Sequence, residues 1–550
     1  MQNTKPKTSF VHGFALNLFL FASLAITPFY SFEAVNLPKF TALVTFGSIA
    51  LVYLIRNTKL VFSRVGILSK IFLFTFVVCL CVSFFSSETP WVQQVYGREG
   101  RRNGVLTFIS LLLLFIIFHE ISIEKFKKVF LNRIAISGII ISLYSSLQLI
   151  GLDFFKWDSV NLHFFGTFGN PNFLSAFLAM VAIPILVFTN DLLYKSPRYI
   201  TYIIQLLELT FIIYLIIRTR SYQGYIAVYF ALLVFVLIWF YKNKKKTILN
   251  ILMFISTVLT SFSLAGVFNH GPLSGYLYKS SISSRGDFFR AAFNAGNDNV
   301  FTGLGFESFG DYYFTYRDSK AGSRIGAEYA DSAHNYFLDI YSNFGLIALI
   351  VYAGLTTLVL LRFIKIIRIN VFDKYICSIF SVWVALQIQS LVSPTNFLFL
   401  ILIFAISGFI LGDQILSSTQ AVSNKQLVNS LIGIIIAFAL VISPIQREHL
   451  VLIANRNASV EQLIKSLEKF PKSTTGYNRT LLLFDENNLL NESLVVAKSA
   501  LEFNERTYTA YVIIITSPYT SREEKIKAYD KLKSLDPKNP KLAPLSPFEQ

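Results

Sequence analysis

Charge is what this sequence has least of. Only 15% of its 550 residues are Asp, Glu, Lys or Arg, where a soluble globular domain carries about 25%. That shortage excludes the string of soluble domains its length alone would suggest. Cysteine is almost as scarce, with three residues. Cys79 and Cys81 sit inside one apolar run and Cys377 inside another, which excludes an extracytoplasmic disulfide framework and leaves them as small core hydrophobes. No zinc or nucleic-acid motif is present, so the net charge of +17 does not point to nucleic acid.

What is abundant is apolar. Hydrophobic residues make up 54% of the chain, 55 of them Phe, and the mean hydropathy is +0.55. A membrane-spanning helix needs about 20 mostly apolar residues. Segments of that kind recur at 10–31, 39–55, 70–86, 105–119, 130–150, 172–190, 199–217, 223–241, 248–268, 344–362, 374–391, 396–413 and 427–446. The pattern predicts an all-α, polytopic membrane bundle of 12–13 spans. The first segment follows Lys5 and Lys7 and is longer than a signal-peptide core, so it reads as an uncleaved helix.

Positive residues set orientation, because short cytoplasmic loops are enriched in Lys and Arg. Lys5 and Lys7 place the N-terminus inside. Alternation then puts Arg56, Lys59 and Arg64 on that side, followed by Lys125, Lys127 and Lys128. Lys195 and Arg198, Lys242 through Lys246, and Arg362, Lys365 and Arg368 join them. The opposite side receives Glu88–Gly104, Gly151–Pro171, Arg218–Tyr222 and a long loop at 269–343. With an odd number of spans, the polar tail also falls outside; one helix more or fewer would move it.

The tail, 448–550, reads as a helical domain distinct from the membrane part, 1–447. Ser459-x-x-Gln462 and Thr520-x-x-Glu523 resemble capping boxes. Helix-end signals recur every 33 residues, at Phe470-Pro471-Lys472, Phe503-Asn504-Glu505 and Asp536-Pro537-Lys538. That period is close to a tetratricopeptide repeat, although the aromatic and glycine consensus is poor and an unrelated helical tail is the alternative.

The long loop carries sequence of an ordered kind, including Ser284-Arg285, Gly303-Leu304-Gly305 and Asp331-Ser332-Ala333-His334-Asn335. Its glycines lack the βαβ setting of a dinucleotide fingerprint. His334 is a candidate base, since an imidazole with a pKa near 6.5 can take a proton at neutral pH. Asp331 would orient it if a helix began there, and Asn335 supports it. Arg285, Arg218, Arg220 and Arg101 also lie on this side, and each alone could snorkel to headgroups. An arginine fork would equally suit phosphate oxygens if the resemblance given below brings a phosphate here, with Arg218 the alternative to Arg220 and Arg101 in support. No Asp-x-Asp pair occurs, which argues against a metal-dependent transferase and gives no metal site.

Gly97…Arg101…Gly104, Gly166-Thr167-Phe168-Gly169-Asn170-Pro171-Asn172, Thr219-Arg220-Ser221, Ser284-Arg285, Gly303-Leu304-Gly305, and His334-Asn335-Tyr336-Phe337-Leu338-Asp339 with Gly345-Leu346 occur in that order. As an ordered set between about Glu88 and Gly412, they resemble the O-antigen ligase and polymerase family of bacterial envelope proteins. The resemblance implies a GT-C-like membrane glycosyltransferase that needs no cofactor or metal. It would move a glycan from a polyprenyl pyrophosphate to a lipid, glycan or protein hydroxyl, on the outer face of the cytoplasmic membrane. By the same resemblance, Arg220 and Arg285 hold pyrophosphate and His334 activates the acceptor. A polymerase differs only in acceptor. Two other classes stay open: a transporter, for which Glu208 stands out among the few charged residues inside the spans, and a scaffold recruiting protein partners through the tail.

Overall fold

Hydrocarbon offers no partner to a free peptide group, so long apolar runs fold as helices, and each apolar segment predicted above holds one, the first ending at Leu24. The computed structural model describes residues 9–27, 32–155, 157, 164–278, 280–323, 329–394, 396–412 and 424–546. Along the chain come α1 (Phe10–Leu24), α2 (Asn36–Arg64), α3 (Ile67–Ser86), the short α4 (Trp91–Tyr96), α5 (Val105–Glu120) and α6 (Ile123–Leu149). Then follow α7 (Pro171–Leu192), α8 (Arg198–Arg218), α9 (Tyr222–Lys242) and α10 (Lys246–Val267). The long connection holds α11 (Ser274–Leu277), α12 (Ser280–Asp298), α13 (Phe309–Tyr316) and α14 (Ser319–Ser323). The bundle resumes with α15 (Tyr336–Ile369), α16 (Lys374–Ser390), α17 (Phe397–Leu411) and α18 (Asn424–Arg456). Helices α19 (Val460–Leu467), α20 (Thr474–Glu486), α21 (Leu490–Phe503), α22 (Tyr508–Thr516) and α23 (Arg522–Leu535) make the tail. No strand occurs among the described residues.

By length and composition, nine of the described helices can cross a membrane: α2, α3, α6, α7, α8, α9, α10, α15 and α18. This is fewer than the 12–13 predicted, because α1, α5, α16 and α17 are 15, 16, 17 and 15 residues long. Helices α5 and α17 are buried along nearly their whole length and pack on each other. Gly408 allows the close approach, since a Cβ there would lie 2.3 Å from the Phe115 carbonyl oxygen. Such internal helices are shielded by their neighbours.

Polar contacts sort the helix ends into two groups. Arg64 at the end of α2 and His12 near the start of α1 both reach Glu120 at the end of α5, at 3.2 Å. Lys128 of α6 pairs with Asp191 of α7 at 2.8 Å. Lys127 pairs with Asp373, which caps α16, at 2.5 Å. Lys242 at the end of α9 donates to the Asn370 carbonyl at 2.7 Å. The basic connections thus share one end of the bundle. The motif-bearing connections share the other: Gln389 near the end of α16 donates to Gln223 at the start of α9 at 2.9 Å, and Asn335 donates to the Leu391 carbonyl at 3.1 Å.

Helix α18 passes through Pro444 and emerges at the motif-bearing end, where Glu448 accepts from the Glu33 amide at 3.3 Å. The boundary expected at 447/448 therefore falls inside this helix. Beyond it the chain forms successive helical hairpins, α18–α19, α20–α21 and α22–α23. Ser459 caps α19 and accepts from the Gln462 amide at 3.3 Å. The second capping box is Ser521 with Glu524, one residue later than predicted. Thr520 and Glu523 have the same spacing, but α23 begins at Arg522 and makes Ser521 its cap.

Candidate active site

The site begins with a turn. Between α4 and α5 the chain reverses through Gly97, Gly100 and Arg102, with φ of 72°, 83° and 58°, a left-handed region that glycine enters freely and other residues rarely. Each of the residues from 98 to 102 is held by a partner, Gly100 and Arg102 by the same one. Arg98 is ion-paired with Asp311 and donates from Nε to the Glu307 carbonyl at 2.8 Å. Glu99 takes Arg479 at 2.7 Å and also Arg447. Glu33 accepts from the Gly100 amide at 2.7 Å and from Arg102 Nε at 2.9 Å. Arg101 binds Asp331 through both ends of its fork, at 2.6 and 2.9 Å.

The paired glycines have a backbone task. Helix α15 is interrupted at Gly345, with φ 82°, which frees carbonyls that a straight helix would use. The amides of Leu304 and Gly305 bond the carbonyls of Ser342 and Asn343 at 2.9 and 3.0 Å, and the Leu346 amide bonds Val300 at 2.7 Å. A Cβ on Gly303 would lie 2.2 Å from the Asn343 carbonyl oxygen. The two segments are laced backbone to backbone, which brings Glu307 and Asp311 beside the start of α15.

That start is firmly held. Asn335 caps α15 and accepts from the Phe337 and Leu338 amides at 3.0 and 3.2 Å. Asp339 reaches back to the Ala333 amide at 2.7 Å and the Ser332 hydroxyl at 2.8 Å. Ser332 Oγ in turn accepts from the His334 amide at 3.0 Å. The helix begins at Tyr336, not at Asp331, so the expected helical spacing between Asp331 and His334 does not arise. Asp331 holds Arg101, and the His334 ring is oriented by the Ser332 carbonyl, 3.1 Å from Nδ1, and by the Phe288 ring, 5.1 Å between centroids. A carbonyl can only accept, so Nδ1 carries the proton and Nε2 the lone pair.

Burial disfavours a charged Asp331, but Arg101, with Arg98 and His334 behind it, outweighs burial and holds the carboxyl below its usual range. Burial, then the charge of Arg101, pushes His334 down to about 4, with Arg285 adding to this and the Ser332 carbonyl and Asp331 opposing it. The imidazole is therefore neutral at pH 7. Arg285, on α12, is lowered by burial yet stays a cation, and no carboxylate among the described residues pairs with it. Sequence reasoning missed Glu307. It lines a small cleft with Arg101, Asn103, Asp331 and Asp339, burial raises it to about 7, and its Oε2 is buried without a partner. A left-handed backbone at a non-glycine residue (φ 54°) marks it, which no local sequence signal shows.

Arg101, Asp331, His334 and Asn335 thus come together, with Arg285 within electrostatic reach of His334. Arg218 ends α8, while Arg220 lies in the break before α9 with φ 56°. Both are exposed, and no contact among the described residues ties either to the cleft. They are nevertheless at its end of the bundle: Gln223, one turn further, meets Gln389, and Leu391 meets Asn335. Asn170 caps α7 as its sequence predicts, accepting from the Asn172 amide at 2.8 Å. Glu208 accepts from Thr189 at 2.6 Å, the pairing with a polar neighbour that accounts for a carboxyl inside a bundle.

Residues 208–353 match the family model for O-antigen ligase. The chain is O-antigen ligase-like over the stretch that carries Arg218, Arg220, Arg285, Asp331, His334 and Asn335, and the nine apolar helices among the described residues are those of a multi-pass membrane protein. None of the curated proteins matches the chain.

Proposed function

We propose that this protein is a glycan ligase, transferring an oligo- or polysaccharide from a polyprenyl pyrophosphate to a hydroxyl acceptor, with inversion and without a metal. The observation that carries the reading is the pairing of a neutral, pinned His334, whose Nε2 meets no partner among the described residues, with the half-buried cation Arg285, which no described carboxylate pairs. In the reaction Nε2 takes the proton of the acceptor hydroxyl, and the oxygen attacks the anomeric carbon. The bond from that carbon to the pyrophosphate oxygen breaks, and the electron pair leaves with the pyrophosphate. Arg285 and Arg220 stabilise that leaving charge; forked, charge-assisted bonds of this kind contribute about 1.5–3 kcal/mol each. Arg220 suits the role better than Arg218, because it stands in the break between helices and not at the end of one. Arg101 and Asp331 fix the wall of the cleft.

We assign the motif-bearing end of the bundle to the outer face of the bacterial cytoplasmic membrane, since the basic connections gather at the other end. The bundle would then be GT-C-like, the connection at 269–343 an extracytoplasmic loop and the hairpins of 448–550 a tetratricopeptide-like tail. Polymerisation, with a second carrier-linked glycan as acceptor, uses the same geometry. The test is reconstitution with a polyprenyl-pyrophosphate glycan and candidate lipid, glycan and protein acceptors. His334→Ala should abolish transfer while donor binding persists. Arg285→Lys, which keeps the charge and loses the fork, should lower turnover strongly. Near-normal turnover by either variant overturns the role of that residue.

A further inference from the structure

The C-terminal hairpins reach the site through one buried network. Asn504, just past α21, donates from Nδ2 to Asp311 at 3.1 Å and to the Thr474 hydroxyl at 2.9 Å. Thr474 donates to Gln93 at 2.7 Å, and Gln93 donates to the same Asp311 oxygen at 3.0 Å. All four side chains are more than nine-tenths buried. From Asp311 the network passes to Arg98, which also donates to the Tyr329 hydroxyl and to the Glu307 carbonyl. Arg98 and Arg101 share one turn, since the Arg101 amide bonds the Arg98 carbonyl at 3.1 Å. Arg101 holds Asp331, two residues beyond Tyr329 and three before His334.

We infer that the C-terminal helical tail is a positioning element of the transfer site, acting through Asn504, Asp311 and Arg98 on the turn that carries Arg101. The inference rests on the proposed glycan transfer. Adhesion alone would not need this network. The tail is already docked by apolar and ionic contacts, among them Phe314 on Tyr508 at 4.3 Å and Arg317 on Asp536. A buried polar network rigidifies only when every member is satisfied. Asn504 completes this one, so the tail supplies the group that fixes the Asp311 carboxylate against Arg98. The arginines proposed to hold the donor, Arg220 and Arg285, lie outside the network, which separates positioning from donor binding.

The experiment compares full-length wild type, Asn504→Ala, Asn504→Asp, the half-exposed tail control Lys525→Ala and His334→Ala in the reconstituted transfer assay. Thermal unfolding corrects each rate for the folded fraction. Asn504→Ala should lower kcat about tenfold with the donor KM unchanged, and Lys525→Ala should match wild type. The charged groups facing position 504 are Asp311 of α13, Arg98 of the 97–104 turn and Arg506 of the tail, with Glu88 beyond Arg506. A carboxylate added there repels Asp311, but once protonated it donates a hydrogen bond as the amide does. The kcat of Asn504→Asp should therefore recover relative to wild type as pH falls, a response that mere docking would not give. Wild-type kcat per folded molecule in Asn504→Ala, beside an inactive His334→Ala chain, overturns the inference alone. A His334→Ala chain that still transfers overturns the catalytic reading and this inference with it.

Discussion

At position 334 the backbone is left-handed, with φ 57°, a conformation that costs a non-glycine residue about 1–3 kcal/mol unless its surroundings impose it. Here they do: Asn335 caps the following helix, Asp339 ties down Ser332 and Ala333, and Ser332 holds the His334 amide and ring. Arg220 and Glu307 share that left-handed geometry. The histidine and its motif are legible in the sequence. The partner of Asp331 is not, because the fork that takes it lies 230 residues away. Desolvation sets the expected pH response. The acid limb of kcat/KM reports free-enzyme groups, so with His334 held at about 4 it should lie well below the value of about 6.5 for an ordinary histidine. A pH–rate profile with a limb at about 6.5 would show that the ring is solvated. A limb near 7 that vanishes in Glu307→Gln would belong to that carboxyl instead, which is held at about 7.

Among elements, the hydropathy pattern located every bundle helix, because burial of apolar runs is a local property of sequence. It could not show that α15 breaks at Gly345, nor that the break is filled by the amides of Leu304 and Gly305. Those bonds join segments that are remote in sequence and use only backbone atoms, which carry no residue signature. The consequence is testable at Gly303. Alanine there meets both a positive φ of 65° and the Asn343 carbonyl. It should lower stability by about 1–3 kcal/mol and reduce transfer, whereas Gly275→Ala, with nothing within 4 Å of the added carbon, should change neither. Thermal unfolding in detergent, followed by the transfer assay, compares the two.

For the molecule as a whole, charge counting separated the two ends of the bundle, and the salt bridges around Asp191, Glu120 and Asp373 gather the basic connections as that counting expected. The docking of the tail was illegible: Asn504 and Asp536 stand in the recurring helix-end signals, but such signals mark where a helix stops and do not name the remote residues they meet. Arg317 binds Asp536 at 3.0 and 2.6 Å, with side chains 1% and 0% exposed. Removing one partner strands a buried charge, so Arg317→Leu should destabilise the chain by about 3–5 kcal/mol, and adding Asp536→Leu should return part of that loss. Melting curves of the single and double variants decide the point; equal losses would show that the carboxylate finds water when left alone.

The same ion pair bears on how the protein is made. Asp536 follows every bundle helix in the chain, so a ribosome finishes the whole bundle, cleft included, before it makes the residue that seals Arg317. With the tail as part of the frame, a nascent chain would carry its histidine and arginines in the membrane without yet being able to use them, and a message cut short before the last hairpin would yield an inserted but idle protein. Synthesis order would then act as a safeguard against transfer by unfinished molecules.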